Sequence, residues 1–222
     1  METEDAKINY NKKVYNIRGE KYSHLFKTIR AKRFYELDLL EAIRSRRRKG
    51  IYIDAGANIG NHSIYFAGEC LSTKVYSFEP YPYTFNILKY NIEYNNFKEK
   101  IVGQNVALSD RLCYLGIKLP TNICNIGRIE MVEGGEEVRC STLDVSCLDP
   151  CIKDDIAVIK IDVQSYEIKV LRGAVGVLEK YKPLLSIECT TLRELKQVET
   201  FLRPYNYKRV GKYCATPTYI FE

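Results

Sequence analysis

The sequence predicts an α/β protein built on a mostly parallel β-sheet with helices on both faces. Short apolar runs alternate along the chain with stretches whose apolar residues recur at helical spacing. Strands that alternate with helices form βαβ units, and such units give parallel sheets. The strand-like runs are continuously apolar, as is typical of strands that are buried on both faces.

The first fifty residues differ from the rest of the chain. Residues 1–30 are polar, rich in Tyr and Lys and weakly periodic, so we expect an irregular arm or short strands. Residues 31–48 carry apolar side chains at helical spacing and predict a helix that Gly50 ends. We therefore expect a basic N-terminal arm and helix over residues 1–50, followed by one main domain over residues 51–222.

The main domain has the alternating pattern throughout, apart from one insertion. Residues 110–150 break the rhythm with Gly, Asn and Cys, and predict short strands near the sheet edge or over the active face. Long insertions of this kind are often functional. The predicted strands are residues 51–54, 74–79, 101–108, 156–162 and 184–188, the predicted helices are residues 82–96, about 165–180 and one after 188, and residues 205–222 predict a terminal hairpin.

The composition is that of a folded protein with unevenly distributed charge. Hydrophobic residues make up 45% of the 222 residues and charged residues 28%, which argues against disorder. The longest apolar runs are about six residues, far short of the ~20 that cross a bilayer. The net charge of +6 comes from residues 1–50, which hold 14 Lys and Arg against 7 Asp and Glu. The basic run at 44–49 can attract nucleic acid, phosphorylated substrates or anionic lipid, or it can be a solvated helix end.

Eight cysteines are spread over the last two-thirds of the chain, and their spacing indicates neither a disulfide scaffold nor a zinc site. There is no Cys-x-x-Cys pair, and His24 and His62 are the two histidines. We expect reduced thiols, many of them buried as small apolar groups. The polar, acidic start of the chain carries no secretory signal, so we expect a cytoplasmic protein.

A glycine loop follows the first strand of the main domain. Gly56 and Gly60 allow a sharp turn and close approach to a ligand, and the helix after Gly60 offers free N–H groups to an anion. Glu79 ends the next strand, where a carboxylate can hydrogen-bond both ribose hydroxyls of a nucleoside cofactor. The loop lacks the Lys of a P-loop and the second glycine of a dinucleotide-binding loop, which favours an adenosine with an amino-acid tail. A structural turn and a solvent-facing Glu are the alternatives.

Seven short motifs follow one another between residues 52 and 188. They are Tyr-Ile-Asp-Ala-Gly-Ala-Asn-Ile-Gly-Asn-His-Ser at 52–63, Phe-Glu-Pro-Tyr-Pro at 78–82, Asn-Val-Ala-Leu-Ser-Asp at 105–110, Ser-Thr-Leu-Asp at 141–144, Ile-Lys-Ile-Asp-Val at 159–163, Leu-Arg-Gly at 171–173 and Pro-Leu-Leu-Ser-Ile-Glu at 183–188. In this order they resemble the FkbM-type S-adenosylmethionine-dependent methyltransferases. The resemblance implies a Rossmann-like seven-stranded methyltransferase sheet, mostly parallel with an antiparallel last strand, and methyl transfer to a hydroxyl, commonly of a sugar or a natural product.

The resemblance also implies which residues bind S-adenosyl-L-methionine. The loop at 54–61 would wrap the methionine end of the cofactor, Glu79 would bind the ribose, and Asp162 would face the methyl donor. The family usually reads Asp-Val-Glu-Gly after the fourth strand, but Gln164 and Ser165 occupy the last two positions here, so one negative charge is missing. The implied cofactor-binding residues are Asp54, Gly56, Asn58, Gly60, Asn61, His62, Glu79, Pro80, Tyr81, Asn105, Val106, Ala107 and Asp162, with Asn105, Val106 and Ala107 beside the adenine.

Methyl transfer to a hydroxyl needs an aligned acceptor oxygen and a group that takes its proton. Asp162 and Glu188 end two strands that the family topology makes neighbours, so they are the candidate catalytic residues, as base and partner. The same carboxylates could instead bind a divalent cation such as Mg²⁺, which would lower the pKa of the hydroxyl. Helix capping by Asp162 and a solvated strand end at Glu188 are the structural alternatives.

Two further residues have a less direct interpretation. The pKa range of a histidine suits a base, but His62 lies on the first turn of the helix after the loop, and we interpret it as packing or hydrogen-bonding beside the cofactor. Glu36 could reach the acceptor from the helix before the first strand, but we interpret it as a solvent-facing helix residue.

The predicted function is an O-methyltransferase whose partner is a small-molecule or glycan acceptor. An RNA methyltransferase is the first alternative, because of the basic run at 44–49; without a separate RNA-binding module, we do not expect a nucleic-acid partner. A non-catalytic, cofactor-binding interaction protein is the second alternative, because Gln164 and Ser165 depart from the family motif.

Overall fold

The computed structural model describes residues 2–118, 129–135, 137–147 and 154–222. The strands are β1 (Thr3–Tyr10), β2 (Lys13–Glu20), β3 (Gly50–Ala55), β4 (Ser72–Phe78), β5 (Ile101–Gln104), β6 (Ala107–Leu108), β7 (Cys113–Lys118), β8 (Glu130–Val132), β9 (Val138–Ser141), β10 (Ile156–Ile161), β11 (Leu184–Glu188), β12 (Arg209–Tyr213) and β13 (Thr218–Phe221). The helices are α1 (His24–Arg30), α2 (Leu37–Ser45), α3 (Asn61–Glu69), α4 (Pro82–Tyr94), α5 (Leu143–Cys147), α6 (Glu167–Arg172), α7 (Val175–Tyr181) and α8 (Leu192–Leu202), with a 3₁₀ turn at Arg203–Tyr205.

Seven strands form the central sheet, in the order β12-β13-β11-β10-β3-β4-β5. The strands from β11 to β5 run parallel, and β13 is antiparallel to both of its neighbours. The predicted mostly parallel sheet with an antiparallel last strand is therefore confirmed. The chain leaves β3 toward β5 and returns to β10 on the other side of β3, so the strand order reverses between β3 and β10. Ligands of open α/β sheets bind beyond the carboxyl ends of strands at such a point.

Side chains on the two faces of the sheet belong to two hydrophobic clusters. Tyr52 and Val158 lie in the cluster that α2, α3 and α4 cover. Ile53 and Ile159, the next residues of the same strands, lie in the cluster that α5 to α8 cover. Every residue of β3 and β10 is buried, which explains their continuous apolar runs. Helices on both faces of the sheet are thereby confirmed.

The first thirty residues form a hairpin and a helix, so the expectation of an irregular arm was wrong and that of strands was right. β1 and β2 pair along their full eight-residue lengths. Ile8, Tyr15 and Ile17 of the hairpin are buried in the same cluster as α4. The segment is polar overall, but Tyr15 belongs to the core. The predicted boundary at residue 50 stays a prediction.

Three predicted elements have different bounds in the structure because a backbone turn interrupts each pattern. The helix predicted at 31–48 is α2, which begins only after Glu36, where φ is +57° and not helical. The strand predicted at 101–108 is two strands, β5 and β6, in different sheets. The helix predicted at 165–180 is α6 and α7, interrupted at Gly173, whose hydrogen faces the Ser109 backbone oxygen so closely that a Cβ would collide. The terminal hairpin predicted at 205–222 begins at Arg209, because a 3₁₀ turn occupies Arg203–Tyr205. The other predicted elements agree to within about two residues, which is the usual uncertainty of helix and strand ends.

The described part of the insertion contributes β7, β8 and β9 to a second sheet, which β6, just before the insertion, completes in the order β6-β9-β7-β8. It starts beside the edge strand β5 and has its own small cluster around Leu115, Val138 and Cys140. Short strands near the sheet edge are therefore confirmed. Residues 119–128, 136 and 148–150 of the insertion, together with Cys124 and Cys151, lie outside the described residues. Free thiols are Cys70, Cys113, Cys140, Cys147, Cys189 and Cys214.

In the described ranges, no helix combines the length and the apolar character that crossing a lipid bilayer requires.

Candidate active site

Four acidic residues mark the carboxyl edge of the central sheet. Asp54 belongs to β3, Glu79 follows β4, Asp162 follows β10, and Glu188 ends β11. These four strands are consecutive neighbours and run parallel. The structure therefore brings the four acids to one edge, with Asp54 and Asp162 at the point where the strand order reverses.

The glycine loop makes two close approaches that require its glycines. Gly56 has a φ of +78°, and a Cβ there would collide with the backbone oxygen of Asp162. Gly60 has a φ of +92°, and a Cβ there would meet the Leu88 side chain at 2.6 Å. The N–H of Gly56 also donates to the Phe78 carbonyl at 3.0 Å. The loop is thus held between the ends of β4 and β10.

Asp54 is completely buried below this loop. It accepts a hydrogen bond from the Ser63 hydroxyl at 2.6 Å, and its other oxygen lies 3.2 Å from Lys160 Nζ. Burial alone would raise the pKa of Asp54, but the charges of Lys160 and His62 and the hydrogen bonds from Ser63 and Lys160 together outweigh it, and the pKa is lowered. Asp54 therefore has no exposed atom at the crevice, and the direct cofactor contact that the resemblance implies stays a prediction.

Lys160 is a central residue of the site that the sequence analysis missed. Its side chain is 3% exposed, and Nζ donates to the Gly56 carbonyl at 2.9 Å. Nζ also lies 3.2 Å from Asp54 Oδ1 and 3.6 Å from Asp162 Oδ2. Burial opposes the charge, but the two carboxylates outweigh it and raise the pKa of Lys160. The signal in the sequence was a lysine inside the apolar run of β10, two residues before Asp162.

Glu79 faces the glycine loop and is 7% exposed. Its Oε2 accepts from the N–H of Asn58 at 2.8 Å, and its Oε1 accepts from the N–H of Tyr81 at 3.0 Å and from the Thr84 hydroxyl at 2.7 Å. Burial raises the pKa of Glu79 in spite of these bonds. A carboxylate offers about four acceptor sites, so one site on Oε2 is left beside these three internal bonds. Binding both hydroxyls, as the sequence predicts, would require an internal bond to break.

Glu36 is not the solvent-facing helix residue that we expected. The left-handed backbone at Glu36 places it before α2, and its side chain is only 10% exposed, with Oε2 3.1 Å from His62 Nε2. Burial raises the pKa of Glu36, but the hydrogen bond and charge of His62 outweigh it and lower the pKa. Beside this pair, Asn61 is bonded in both directions to the Tyr35 backbone, at 3.0 Å each. The segment before α2 therefore forms a wall of the site.

Gln164 joins Asp162 to Glu188. Its Nε2 donates to Asp162 Oδ1 at 3.1 Å and to Glu188 Oε2 at 3.3 Å. The Asp162 side chain is 30% exposed, whereas Glu188 is 8% exposed, so the solvated strand end that we considered for Glu188 is wrong. Burial and the Asp162 charge raise the pKa of Glu188 to about 9. Glu188 therefore holds a proton more readily than an ordinary glutamate, and Asp162 is the more accessible of the two.

The residues implied beside the adenine are divided between two environments. Asn105 Nδ2 donates to the backbone oxygens of Glu79 and Pro80, at 2.8 and 2.9 Å, so it borders the crevice. Val106 packs against the cluster under α5 to α8. Ala107 is buried in the cluster of the second sheet. Asn105 and Pro80 thus lie at the crevice, and Val106 and Ala107 support it from behind.

The same stretch of chain matches a known protein family. A model of the methyltransferase FkbM domain matches residues 54–209, from the base of the glycine loop to the first residue of β12. The chain belongs to the FkbM methyltransferase family. The match includes all four acids of the carboxyl edge. No curated protein matches this FkbM-family chain by sequence.

Solved structures share the fold of this FkbM-family chain at low sequence identity. The methyltransferase FkbM of Methylobacillus flagellatus is 19% identical with a TM-score of 0.55, over 78% of this chain and 44% of that one, so the chain spans less than half of that relative. The tRNA m1G37 methyltransferase of M. jannaschii is 13% identical with a TM-score of 0.52, over 99% and 52% of the chains. TrmK of M. capricolum, solved with S-adenosyl-homocysteine, is 13% identical with a TM-score of 0.50, over 85% and 67%. This likeness shows the methyltransferase fold.

Proposed function

We propose that this FkbM-family chain is an S-adenosylmethionine-dependent O-methyltransferase that acts on a hydroxyl of a sugar, a glycan or a sugar-containing natural product. The proposal is carried by one observation: Asp162, accessible and hydrogen-bonded to Gln164, lies at the carboxyl edge directly against the glycine loop. A proton acceptor in this position supports the proposal, because it would lie next to a cofactor bound at the glycine loop.

The residues of the glycine loop fit S-adenosylmethionine. Gly56 and Gly60 provide the close approach, and one acceptor site on Glu79 faces the loop for a ribose hydroxyl. The related fold of TrmK holds the cofactor product S-adenosyl-homocysteine, which supports the same ligand class here. The accessible Asp162 carboxylate would also favour the positive sulfonium of the cofactor.

When bound, the cofactor supplies a methyl group that its sulfonium already activates, so alignment and proton removal fall to the protein. Asp162 accepts the acceptor hydroxyl's proton, with Oδ1 held by Gln164 and Oδ2 near Lys160. Glu188, whose pKa is raised by burial and by the charge of Asp162, lies beside it and accepts a hydrogen bond from the same Gln164 amide. The chain thus holds a proton acceptor and a second acid together at one edge of the sheet.

An RNA acceptor is the second candidate, because a tRNA methyltransferase shares the fold and residues 44–49 are basic. The basic run ends α2 and directly precedes β3, so it lies at the amino edge of the sheet, whereas Asp162 lies at the carboxyl edge. The length of β3 separates the two by about 20 Å. Arg46 in this run is also paired with Glu222 at 3.0 Å. A phosphate backbone bound there would lie far from the reacting group, which favours a small acceptor.

The binding test is calorimetric titration with S-adenosylmethionine and, separately, NAD. We expect micromolar-range binding of the first ligand only. Glu79→Ala should weaken it by about 1–3 kcal/mol, the cost of leaving a hydrogen-bonding partner unpaired. Glu99→Ala is the matched control, because Glu99 is exposed and precedes β5 at the opposite edge of the sheet. Equal affinities for both variants would contradict the assigned cofactor site.

The transfer test offers labelled S-adenosylmethionine with a panel of sugars and glycans, and in parallel with tRNA. Asp162→Asn should lower kcat by about 10²–10⁴-fold, the usual contribution of a general base. Asp155→Asn is the control, because Asp155 is exposed and precedes β10 at its other end. Methylated tRNA with unmodified sugars would replace the leading proposal by the second candidate.

A further inference from the structure

The side-chain nitrogen of Gln164 lies between the two carboxylates of the site. It is 3.1 Å from Asp162 Oδ1 and 3.3 Å from Glu188 Oε2. A Gln amide nitrogen carries two hydrogens, so it can donate one to each carboxylate. A divalent cation that bridged the same two oxygens would have to occupy this position, because such cations bind carboxylate oxygens directly. An N–H donor and a cation cannot share it.

The backbone is bent so that Gln164 reaches back to this position. Gln164 and Ser165 have φ angles of +54° and +75°, in the left-handed region that ordinary residues rarely adopt. Glu167 holds the bend, since its Oε1 accepts from the N–H of Val163 at 3.1 Å and from that of Ser165 at 3.3 Å. Strained backbone that neighbours fix in this way is typical of functional sites.

We propose that Gln164 is a positioning residue whose amide takes the place of a bridging cation, holding Asp162 and Glu188 as one unit that accepts the acceptor's proton without a divalent metal ion. The role in methyl transfer rests on the proposed function; the replacement of the cation does not. Two neighbouring carboxylates need a proton, a cation or donors between them. Lys160 lies 3.6 Å from Asp162 on its other oxygen, whereas the Gln164 amide donates to both carboxyl groups on the side that faces Glu188. With the amide turned over, its oxygen would face both carboxyl groups and would need a proton or a cation between them, which makes the orientation testable.

The first experiment titrates the protein with Mn²⁺ alone, followed by calorimetry. We expect no saturable binding by wild type up to about 1 mM, and Kd at least about tenfold lower for Gln164→Glu, which places a third carboxylate at the site. Gln197→Glu adds the same charge to an exposed position on α8 and should behave like wild type. Micromolar binding by wild type that Asp162→Asn abolishes would overturn the proposal, and so would a Gln164→Glu protein that binds no more Mn²⁺ than Gln197→Glu.

The second experiment separates positioning from simple packing. Gln164→Met keeps the length of the side chain and removes its donors. We expect its kcat to fall by about 10- to 100-fold with KM for S-adenosylmethionine unchanged, and wild-type kcat to be insensitive to EDTA. Wild-type kcat in Gln164→Met, or loss of activity with EDTA, would refute the proposal. If neither wild type nor any variant transfers methyl groups, the proposed function fails, while the Mn²⁺ titration still decides the role of Gln164.

Discussion

Replacing Lys160 by Met tests whether the buried cation holds the site together. Lys160 is 3% exposed, and Met fills a similar volume without the charge. The change leaves Asp54, which has no exposed surface, without its positive partner at 3.2 Å. It also removes the hydrogen bond to the Gly56 carbonyl. We expect the protein to lose both stability and cofactor binding, because the glycine loop depends on these contacts.

The size of the effect follows from burial. Removing one partner of a buried ion pair costs about 3–5 kcal/mol, because the other charge stays buried and uncompensated. A change of 1 kcal/mol shifts the melting temperature of a domain of this size by roughly 2–4 °C. Lys160→Met should therefore melt about 6–20 °C below wild type. Lys98→Met is the matched control, since the Lys98–Glu93 pair is exposed on both sides and such pairs contribute only about 0–1 kcal/mol.

Urea denaturation followed by circular dichroism gives the free energy of unfolding for each variant. The double variant Lys160→Met with Asp54→Asn removes the uncompensated charge together with the cation. It should recover part of the loss, because the two residues interact directly. A Lys160→Met protein no less stable than Lys98→Met would refute the reasoning, and strict additivity in the double variant would show that the two charges do not interact.

Two further predictions concern the loop and the acid pair. Gly56→Ala should lower the free energy of unfolding by more than about 1 kcal/mol and weaken S-adenosylmethionine binding, because its Cβ would collide with the Asp162 carbonyl. Gly134→Ala is the control, because Gly134 has a similar φ of +87° but no atom within 4 Å of the added Cβ, so only backbone strain affects it. Urea melts and calorimetry on both variants then separate the effect of the collision from that of the strain. Between the ordinary Glu pKa of 4.5 and about 9, folded Glu188 binds more protons than unfolded Glu188, so stability should fall as pH rises, by at most about 1.4 kcal/mol per pH unit. Urea titrations at about pH 5, 7 and 9 should show a smaller fall for Glu188→Gln, and identical pH slopes would contradict the buried, protonated Glu188.

The central sheet could be predicted because its information is local. The continuous apolar runs of β3 and β10 show directly that both faces are covered. The hairpin β1–β2 could not be predicted in the same way, because Tyr15 is buried in one cluster with residues of α3 and α4, which follow much later in the sequence. The break at Gly173 was also missed, since it reflects the approach of Ser109, a residue far away in sequence.

The site was predictable at the strand ends and not between them. Acids that follow parallel strands meet at one edge, and the family topology makes the strands of Asp162 and Glu188 neighbours, so the two could be placed together. Lys160 could not, because a lysine in a buried strand is explained only by Asp54, which is supplied by a different strand. The inward turn of Glu36 depends likewise on a left-handed residue and on His62 beyond the loop.

The charges of the site differ in how fully the protein itself compensates them. Asp54 is buried against Lys160, Glu36 lies against His62, and burial and the charge of Asp162 raise the pKa of Glu188. Asp162 has Lys160 only at 3.6 Å, shares it with Asp54, and keeps 30% of its side chain exposed. Of these four carboxyl groups, Asp162 is therefore the most exposed, and it faces the crevice. A carboxylate in that position attracts a cationic cofactor and accepts a proton from a neutral hydroxyl, whereas it repels the phosphates of RNA.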